Sequence, residues 1–210
     1  MYGILITLGV ITSLLISEKL VKQRGLAEDT FWKASFWTIL FGIAGARIYH
    51  VIDFWEVYSK NPIAIPAIWQ GGVGIFGALI GGLVALTFYL KKQNQDVLPW
   101  LDVIAVPIPL AQAIGRWGNY FNKEILPYAL YESAANLLLF LGTYLIYKKT
   151  KQTGITFLSY LIGYSIIRLF LEPIRTDSWI IGSLNIAQAI SILLLLSSIY
   201  LLTIWKKRKE

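Results

Sequence analysis

The chain has 210 residues, of which 56% are hydrophobic and only 15% are charged, and its formal net charge is +7. Its mean hydropathy of +0.60 excludes an ordinary soluble domain and indicates an integral membrane protein. The sequence contains no cysteine and one histidine. This composition excludes disulfides, thiolate metal sites and a cysteine nucleophile within the chain, and it argues against a zinc site.

Seven segments reach or approach the roughly 20 apolar residues that a helix needs to cross a bilayer. In chain order they are residues 2–17, 31–52, 64–90, 98–118, 128–147, 154–172 and 179–205. The loops between them are short, so consecutive helices are expected to be antiparallel neighbours. The sequence therefore predicts an all-α fold, a polytopic membrane helix bundle with seven transmembrane helices, in a single integral membrane domain over residues 1–210.

Basic residues at the ends of these segments predict the orientation. They gather at every second loop or end: Lys19, Lys22 and Arg24; Lys91 and Lys92; Lys148, Lys149 and Lys151; and Lys206, Lys207, Arg208 and Lys209. The intervening loops carry few cations. The positive-inside rule then places the N-terminus outside and the C-terminus in the cytoplasm. Because these flanks face anionic lipid headgroups, the net charge needs no nucleic acid partner.

Three predicted helices that run outward each carry an arginine near the outer end: Arg47, Arg116 and Arg168. Snorkelling explains one such arginine. An intramembrane arginine costs roughly 2.5–3.5 kcal/mol on insertion scales, so three of them on co-oriented helices are harder to explain in that way. The pattern favours a shared polar pocket at the outer leaflet.

Helical spacing adds further polar residues to two of these arginines. Gln112, Arg116 and Asn119 lie on one face of the fourth predicted helix. Asp102 precedes Arg116 by close to four turns, which predicts the same face nearer the cytoplasm. Arg47 is followed one turn later by His50 in the second helix.

The sixth predicted helix repeats the spacing with Arg168, Glu172 and Arg175. A structural salt bridge between Arg168 and Glu172, which neutralises both charges within the membrane, explains that pair as well as a binding role does. The two roles are compatible.

Residues 69–82 read WQGGVGIFGALIGG. Glycines at four-residue spacing, such as Gly77 and Gly81, favour close helix packing. Gly71 and Gly72, at the predicted outer end, have a second interpretation, because exposed backbone N–H groups at a helix N-terminus attract anions. Since arginine forks suit phosphate, a phospholipid headgroup is the expected occupant of the pocket.

The segment GRWGNYFNKE at residues 115–124 resembles the signature of the prolipoprotein diacylglyceryl transferase family, which has the form G-R-x-G-N-[FY]-x-N-x-E. Other segments are similar to further family blocks, in the family's order: GARIYHV at 45–51, WQGGVGIFGALIGG at 69–82, LPYALYE at 126–132 and RLFLEPIRTDS at 168–178. Tyr2 and Gly3 resemble a tyrosine-glycine pair in the family's first helix. The resemblance covers essentially the whole chain.

The resemblance implies an enzyme, a diacylglyceryl transferase that acts on a protein cysteine. Family members transfer the diacylglyceryl group of phosphatidylglycerol to the lipobox cysteine thiol of a preprolipoprotein, forming a thioether and releasing glycerol 1-phosphate. The expected partners are phosphatidylglycerol, the preprolipoprotein signal peptide with its lipobox cysteine, and membrane lipids. The expected location is the bacterial cytoplasmic (inner) membrane, as a multi-pass protein whose active site faces the outer leaflet. No cofactor and no metal are expected.

Such a reaction needs charge stabilisation on a departing phosphate and alignment of the thiolate with one glycerol carbon. Arg116 and Arg168 are the candidates for binding the phosphate, Asn119 and Glu124 for orienting the glycerol headgroup, and His50 for the base. The candidates for substrate binding are Arg47, Asn122, Gly71, Gly72, Tyr131, Glu132, Glu172, Arg175 and Tyr2.

Two departures from the family pattern concern the base. The family commonly has histidine where this chain has Phe76 and Leu126, and the histidine at the first of these positions is a favoured candidate for activating the thiol. Either the arginines lower the thiol pKa, or another group such as His50 replaces that histidine, or catalysis is lost. The sequence favours the alternative in which His50 is an interfacial histidine with a structural hydrogen bond.

Two other functions stay open at this point. One is a catalytically inactive family member that acts as a lipid-binding or assembly protein, which the phenylalanine at position 76 makes credible. The other, with less support, is a transporter, because Pro107 and Pro109 suit a broken helix at a binding site. The predicted charges gather at one leaflet and do not form a path across the membrane, which argues against transport.

Overall fold

The computed structural model describes residues 2–207, without the side chains of the last two. The α-helices of this range are α1 (Tyr2–Arg24), α2 (Glu28–Asp53), α3 (Trp55–Tyr58), α4 (Ile75–Lys92), α5 (Val97–Ala105), α6 (Ile108–Phe121), α7 (Tyr128–Lys149), α8 (Ile155–Leu171) and α9 (Ile186–Lys207). Short 3₁₀ turns cover Pro62–Ala64, Ile68–Gln70 and Glu172–Ile174, and strands β1 (Ile180–Ile181) and β2 (Leu184–Asn185) form a small antiparallel hairpin. Arg208 and Lys209 of the predicted C-terminal basic cluster lie outside the described residues.

Six helical stretches are long and apolar enough to cross a membrane: α1, α2, α4, α7, Ile155–Ile174 and Ile186–Trp205. A seventh candidate is the pair α5 and α6, whose axes meet at a bend of 42°. The prediction of an all-α, polytopic membrane bundle is confirmed.

Three of the predicted segments have wrong boundaries. The seventh was predicted over residues 179–205, yet its helix begins only at Ile186, after the β1–β2 hairpin. The third segment was predicted to run over residues 64–90, yet its α-helix begins only at Ile75, after two 3₁₀ turns. The fourth, predicted as one helix over 98–118, bends between α5 and α6 at Pro107, because proline lacks the N–H of a continuous helix and its ring crowds the preceding turn. Asp102 in α5 accepts hydrogen bonds from Gly154 N (2.6 Å) and Phe157 N (2.9 Å). It therefore binds the start of α8.

The chain divides into two compact units, which are described separately: residues 21–97, and residues 1–20 together with 98–210. The single domain over residues 1–210 stays a prediction. In the unit of residues 21–97, α2 packs along α4 through glycine. A Cβ on Gly45 would lie 3.2 Å from Gly81 Cα, and one on Gly77 would collide with Gly45 O. The predicted packing role of Gly77 and Gly81 is confirmed, since any side chain there would force the two backbones apart.

In the unit of residues 1–20 and 98–210, helices α6 to α9 pack as consecutive neighbours, and α1 lies against α6. A Cβ on Gly9 would lie 3.2 Å from Ala111 O, and Ser133 Oγ of α7 donates to Ala113 O of α6 at 3.0 Å. The last turns of α6 and α8 meet the first turns of α7 and α9 at one end of this unit. The polar residues of the candidate site gather at that end.

Candidate active site

Arg116, near the end of α6, forms an ion pair with Glu132 in the second turn of α7. Its Nε lies 2.5 Å from Glu132 Oε2, and its Nη2 donates to Glu132 Oε1 at 3.0 Å. Glu132 is only 3% exposed, so the guanidinium balances a carboxylate that has lost its contact with solvent. The pair fixes the orientation of the guanidinium plane.

A second set of contacts continues from Arg116 into the turn between α6 and α7. Arg116 Nη1 donates to Asn119 Oδ1 at 3.2 Å, as the predicted common helix face requires. Asn119 Nδ2 then donates to Glu124 Oε2 at 3.0 Å, and Asn122 Nδ2 donates to Glu124 Oε1 at 3.3 Å. Glu124 is thus oriented by two amides.

The backbone of this turn is unusual on both sides of Glu124. Lys123 and Ile125 both have positive φ, +58° and +43°, a conformation that is an outlier for a β-branched residue. The turn returns the chain to α6, where Glu124 N donates to Asn119 O at 2.8 Å. Strain of this kind concentrates at functional sites, where surrounding contacts hold it.

Tyr128, the first residue of α7, lies at the centre of the site. The centroid of its ring is 5.8 Å from Arg116 Cζ and 5.7 Å from Arg175 Cζ. Its hydroxyl accepts a short hydrogen bond from Arg168 Nη1. One side chain, 1% exposed, therefore contacts three guanidinium groups.

Arg168 in the last turn of α8 also pairs with Glu172, with 3.1 Å between Nη2 and Oε2. The predicted salt bridge is confirmed. Glu172 is 1% exposed, and its Oε1 accepts a hydrogen bond from Asn185 Nδ2 at 3.4 Å. Asn185 also accepts from Gln188 N at 3.1 Å, which caps α9. Through Asn185 the start of α9 is tied to the carboxylate that holds Arg168.

Arg175 follows the 3₁₀ turn and lies outside the apolar span that ends at Ile174. Its Nε and Nη2 donate to the two oxygens of Asp177 at 2.5 and 3.0 Å. This hydrogen-bonded pairing lowers the pKa of the Asp177 carboxyl and raises the pKa of the Arg175 guanidinium. Both groups are therefore charged at neutral pH, and Asp177 holds the guanidinium against the face of Tyr128.

Arg47 belongs to the other unit and has different partners. Its guanidinium makes four hydrogen bonds to backbone carbonyls, with acceptors Ile65 O (2.7 Å), Gly71 O (2.7 Å), Gly72 O (2.8 Å) and Ala64 O (2.6 Å). The Tyr58 ring centroid is 5.1 Å from its Cζ. A guanidinium has five N–H groups, so one remains for a ligand. These contacts indicate that Arg47 holds the segment between α3 and α4 in place.

The helix N-terminus that was expected at Gly71 and Gly72 is wrong, and substrate binding by these two residues stays a prediction. Neither residue is at a helix N-terminus, because α4 begins at Ile75. Gly71 N already donates to Ile68 O at 3.2 Å, and both carbonyls point to Arg47. Glycine is required at position 72 for steric reasons: its φ is +72°, and a Cβ there would lie 2.5 Å from His50 Nε2 and 2.8 Å from Arg47 Nη1.

His50 lies beside Arg47 among aromatic rings. Its ring centroid is 4.5 Å from that of Phe54 and 5.8 Å from that of Tyr58. Phe76, in the first turn of α4, packs against Tyr49 with 6.1 Å between ring centroids. The phenylalanine thus fills an aromatic contact and offers no group that accepts a proton. The role of His50 as a base stays a prediction.

The remaining candidates belong to the unit that contains Tyr128. Tyr2 packs its ring on Gly118, where a Cβ would collide with it, so the first turn of α1 lies against the signature segment of α6. Tyr131 is 54% exposed, and its neighbour in sequence, Glu132, is the residue that reaches Arg116.

Sequence reasoning missed Tyr128, Asp177 and Asn185. A signal for Tyr128 was available, because it precedes Glu132 by four residues and must share a helix face with it, whereas Tyr131 cannot. Asn185 and Asp177 had no such signal, since the hairpin and the turn that place them lie outside any periodic pattern.

The site has hydrogen-bond donors to spare. Within the part of the chain that the structure describes, the second N–H on each Nη of Arg116, the Nε–H of Arg168 and the Nη1 group of Arg175 find no protein acceptor. Across residues 2–207, no group of three or more histidine, aspartate and glutamate side chains is arranged to hold a metal ion. The arrangement is suited to an anion with several oxygens, such as a phosphate.

Comparison with known proteins extends over both units. Residues 1–204 match the family model described as Prolipoprotein diacylglyceryl transferase. The chain is 38% identical to the phosphatidylglycerol–prolipoprotein diacylglyceryl transferase of Finegoldia magna, over 99% of this chain and 91% of that protein. Identity is 38% to the Staphylococcus carnosus protein of that description, over 94% and 83%, and 33% to the one from Limosilactobacillus reuteri, over 97% and 86%. The similarity therefore includes every helix that carries the candidate site.

Proposed function

The chain belongs to the prolipoprotein diacylglyceryl transferase family, and from this membership we propose that it transfers the diacylglyceryl group of phosphatidylglycerol to the cysteine thiol of a prolipoprotein. The observation that carries the proposal is the set of three guanidinium groups around Tyr128, each of which keeps N–H donors for an anion. A phosphodiester headgroup supplies that anion at the membrane surface.

The proposed step is a displacement at one glycerol carbon. The thiolate sulfur forms a bond to the carbon as that carbon's bond to the phosphate oxygen breaks. The electron pair goes to the leaving phosphate, and glycerol 1-phosphate departs with one additional negative charge. Donors placed where this charge develops accelerate such a step, because they bind the transition state more tightly than the substrate.

Arg116 and Arg168 are the proposed phosphate ligands. Glu132 contacts Nε and Nη2 of Arg116, and Glu172 contacts Nη2 of Arg168, so each carboxylate offsets the cost of burying its guanidinium. The N–H groups that no described residue accepts are left for phosphate oxygens. Glu124, which the amides of Asn119 and Asn122 orient, is proposed to accept a hydrogen bond from a hydroxyl of the glycerol headgroup.

We further propose the topology and the peptide substrate that the sequence suggests. The N-terminus lies outside and the C-terminus in the cytoplasm, with the site facing the outer leaflet of the bacterial cytoplasmic membrane. There it meets the signal peptide of a preprolipoprotein and its lipobox cysteine. Lysines at the far end of α7, Lys148 and Lys149, support this orientation, because cytoplasmic ends carry excess cations.

The base that deprotonates the thiol is proposed to be His50, and replacing it tests this role. In His50→Phe, transfer at pH 7 should fall if the imidazole removes the proton, and the loss should shrink as pH rises and the thiol ionises without help. Turnover equal to that of the unaltered enzyme at every pH would remove His50 from the mechanism.

A second candidate function rests on Phe76, which packs against Tyr49 at the position where the family resemblance implies a histidine. A family member without a working base would still bind phosphatidylglycerol and transfer nothing. If the chain is such an inactive lipid-binding protein, it should bind the phosphatidylglycerol headgroup through Arg116 and Arg168 and form no thioether product.

Reconstitution separates the two candidates. The protein is placed in vesicles with phosphatidylglycerol and a lipobox peptide, and the peptide is analysed by mass spectrometry for the diacylglyceryl adduct. A matched peptide with serine in place of the cysteine is the control, and phosphatidylcholine vesicles are the lipid control. An adduct on the cysteine peptide alone supports the transferase. Phosphatidylglycerol binding without any adduct supports the inactive lipid-binding protein.

A further inference from the structure

Tyr128 contacts every arginine of the site and yet has no place in the chemistry derived above. Its ring lies between Arg116 and Arg175, whose Cζ atoms are 5.8 and 5.7 Å from its centroid. Its hydroxyl accepts from Arg168. Because the side chain is 1% exposed, it acts on the arginines and is not itself presented to a substrate.

Three guanidinium groups around one residue repel each other, and long side chains relieve such repulsion by turning apart. The face of an aromatic ring attracts a cation within about 6 Å of its centroid, so the Tyr128 ring stabilises two of these cations next to each other. The carboxylates hold each guanidinium separately: Glu132 holds Arg116, and Asp177 holds Arg175. The Tyr128 ring contacts both guanidinium groups at once.

The Tyr128 hydroxyl holds Arg168 in place, as the Tyr128 ring holds Arg116 and Arg175. Arg168 Nη2 faces Glu172, and Nη1 donates to Tyr128, so the guanidinium is fixed at both terminal nitrogens. This leaves the Nε–H and the second N–H of each Nη without an acceptor among the described residues. With the Glu172 contact alone, the guanidinium of Arg168 could rotate about Nη2. The second contact, to the Tyr128 hydroxyl, prevents this rotation and so fixes the direction in which the remaining N–H groups point.

We propose that Tyr128 is a positioning residue for the transferase reaction. It holds Arg116, Arg168 and Arg175 in one arrangement that fits a single phosphate, with separate contributions from its ring and its hydroxyl. The inference rests on the proposed function only for the identity of the phosphate, because the arrangement itself would bind the phosphate of any anionic glycerophospholipid.

The test separates the two parts of the side chain. Tyr128→Phe keeps the ring and removes the hydroxyl, and Tyr128→Leu removes both. Tyr144→Phe is the matched control, because Tyr144 is on the same helix, four turns away, where it contacts Phe140 and Lys148. Thermal unfolding of each purified variant shows whether it is folded, and Tyr128→Phe, which changes one atom, keeps the test valid if Tyr128→Leu does not fold.

The expected result is a split between kcat and KM. Losing one hydrogen bond to a charged group corresponds to about a tenfold fall in kcat for Tyr128→Phe, with KM for phosphatidylglycerol changed by less than about threefold because both ring contacts remain. Tyr128→Leu should also raise KM by roughly tenfold, since Arg116 and Arg175 separate. Tyr144→Phe should change neither constant.

A double-mutant cycle tests whether the hydroxyl acts through Arg168. In an Arg168→Lys background, adding Tyr128→Phe should lower kcat by less than about twofold, since interacting residues are not additive. Single-turnover assays with excess protein follow the residual transfer of Arg168→Lys, and equilibrium binding of phosphatidylglycerol in neutral detergent is measured separately for Tyr128→Leu and Tyr144→Phe. Equal effects of Tyr128→Phe in both backgrounds, or effects no larger than those of Tyr144→Phe, would overturn the proposal.

The binding measurement also separates this inference from the proposed function. If the unaltered protein forms no adduct but binds phosphatidylglycerol, and Tyr128→Leu weakens that binding relative to Tyr144→Phe, the transferase proposal fails and the positioning role stands. If transfer is normal in Tyr128→Phe and Tyr128→Leu, the positioning role fails and the transferase proposal stands.

Discussion

Arg47 in one unit and Arg116 in the other show the same signal in the sequence and have opposite partners in the structure. Each lies near the same predicted end of an apolar helix. Arg47 gives four hydrogen bonds to backbone carbonyls and is 7% exposed. Arg116 is paired with a buried carboxylate and keeps N–H groups without a protein acceptor among the described residues.

The two arginines differ in how many N–H groups their protein partners leave available to a ligand. Four of the five N–H groups of Arg47 donate to backbone carbonyls, so this arginine holds the segment between α3 and α4 in its conformation. A carboxylate binds two nitrogens of Arg116 and neutralises its charge, which offsets the cost of burial. The second N–H of each Nη is left without an acceptor among the described residues. An arginine that can bind a ligand within a membrane is therefore recognised by its carboxylate partner more than by its position along the helix.

The largest effect on this comparison should come from Glu132→Gln. Removing one partner of a buried ion pair costs roughly 3–5 kcal/mol, because the other charge is left uncompensated. We expect a loss of that order in the free energy of unfolding, measured by denaturant titration in detergent. The same change at Glu56, an exposed acidic residue of α3, is the control and should cost much less.

Replacing both partners of this pair sharpens the result. The double variant with Arg116→Leu and Glu132→Leu should recover most of the stability that Glu132→Gln loses, since apolar residues replace a buried pair at little cost. It should not recover transfer. Recovery of transfer would show that the pair serves the fold alone.

Arg116→Lys and Arg168→Lys test whether the remaining guanidinium N–H groups bind the phosphate. Lysine keeps the charge and loses the planar fork, so we expect kcat/KM to fall by about 100-fold or more, the size of effect seen when one preorganised donor to a developing anion is removed. Transfer to the lipobox peptide measures it. If kcat/KM falls by less than about threefold in both variants, the positive charge alone stabilises the phosphate and the planar guanidinium is not needed.

Arg47→Lys should act on the backbone instead. An ammonium group cannot reach four carbonyls of residues 64–72 with one geometry, and hydrogen bonds to charged groups contribute about 1.5–3 kcal/mol each. The expected result is faster amide exchange and proteolysis within residues 54–74, with the helices of the other unit unchanged. If the segment keeps its protection, the contacts of Arg47 do not hold it.

The sequence predicted the local part of this picture. Helical spacing predicts two of the contacts, because residues three or four apart lie on the same helix face. They are the pair of Arg168 and Glu172 and the hydrogen bond between Arg116 and Asn119. Seven apolar segments gave the right fold class because the bilayer imposes the helix length. Pro107 was visible in the sequence as a residue that breaks helices, but the hydrogen bonds that Asp102 accepts from the start of α8 were not predicted.

Non-local contacts were out of reach. The acceptors of Arg47 come from a segment that was predicted to be helix, and no periodic pattern indicates which carbonyls an irregular chain presents. Asn185 reaches Glu172 only because a two-residue hairpin turns the chain back. The spacing of Tyr128 to Glu132 indicates a shared helix face, whereas the family block indicated Tyr131, which is exposed.

The smallest effect, and the last test of the comparison, concerns Arg175 and Asp177, a pair at the exposed edge of the site. Pairing lowers the pKa of Asp177, so its stabilising contribution is full above the unfolded carboxyl pKa of about 3.9 and is lost as pH falls through the lower folded value. Because the Asp177 side chain is 55% exposed, Asp177→Asn should cost at most about 1 kcal/mol. The difference in unfolding free energy between the two proteins should be constant from about pH 8 to pH 5 and vanish in stronger acid. A difference that instead changed between pH 5 and 8 would assign the coupling to another titrating group, and Arg175 would then resemble Arg47, held by the fold without help from its carboxylate.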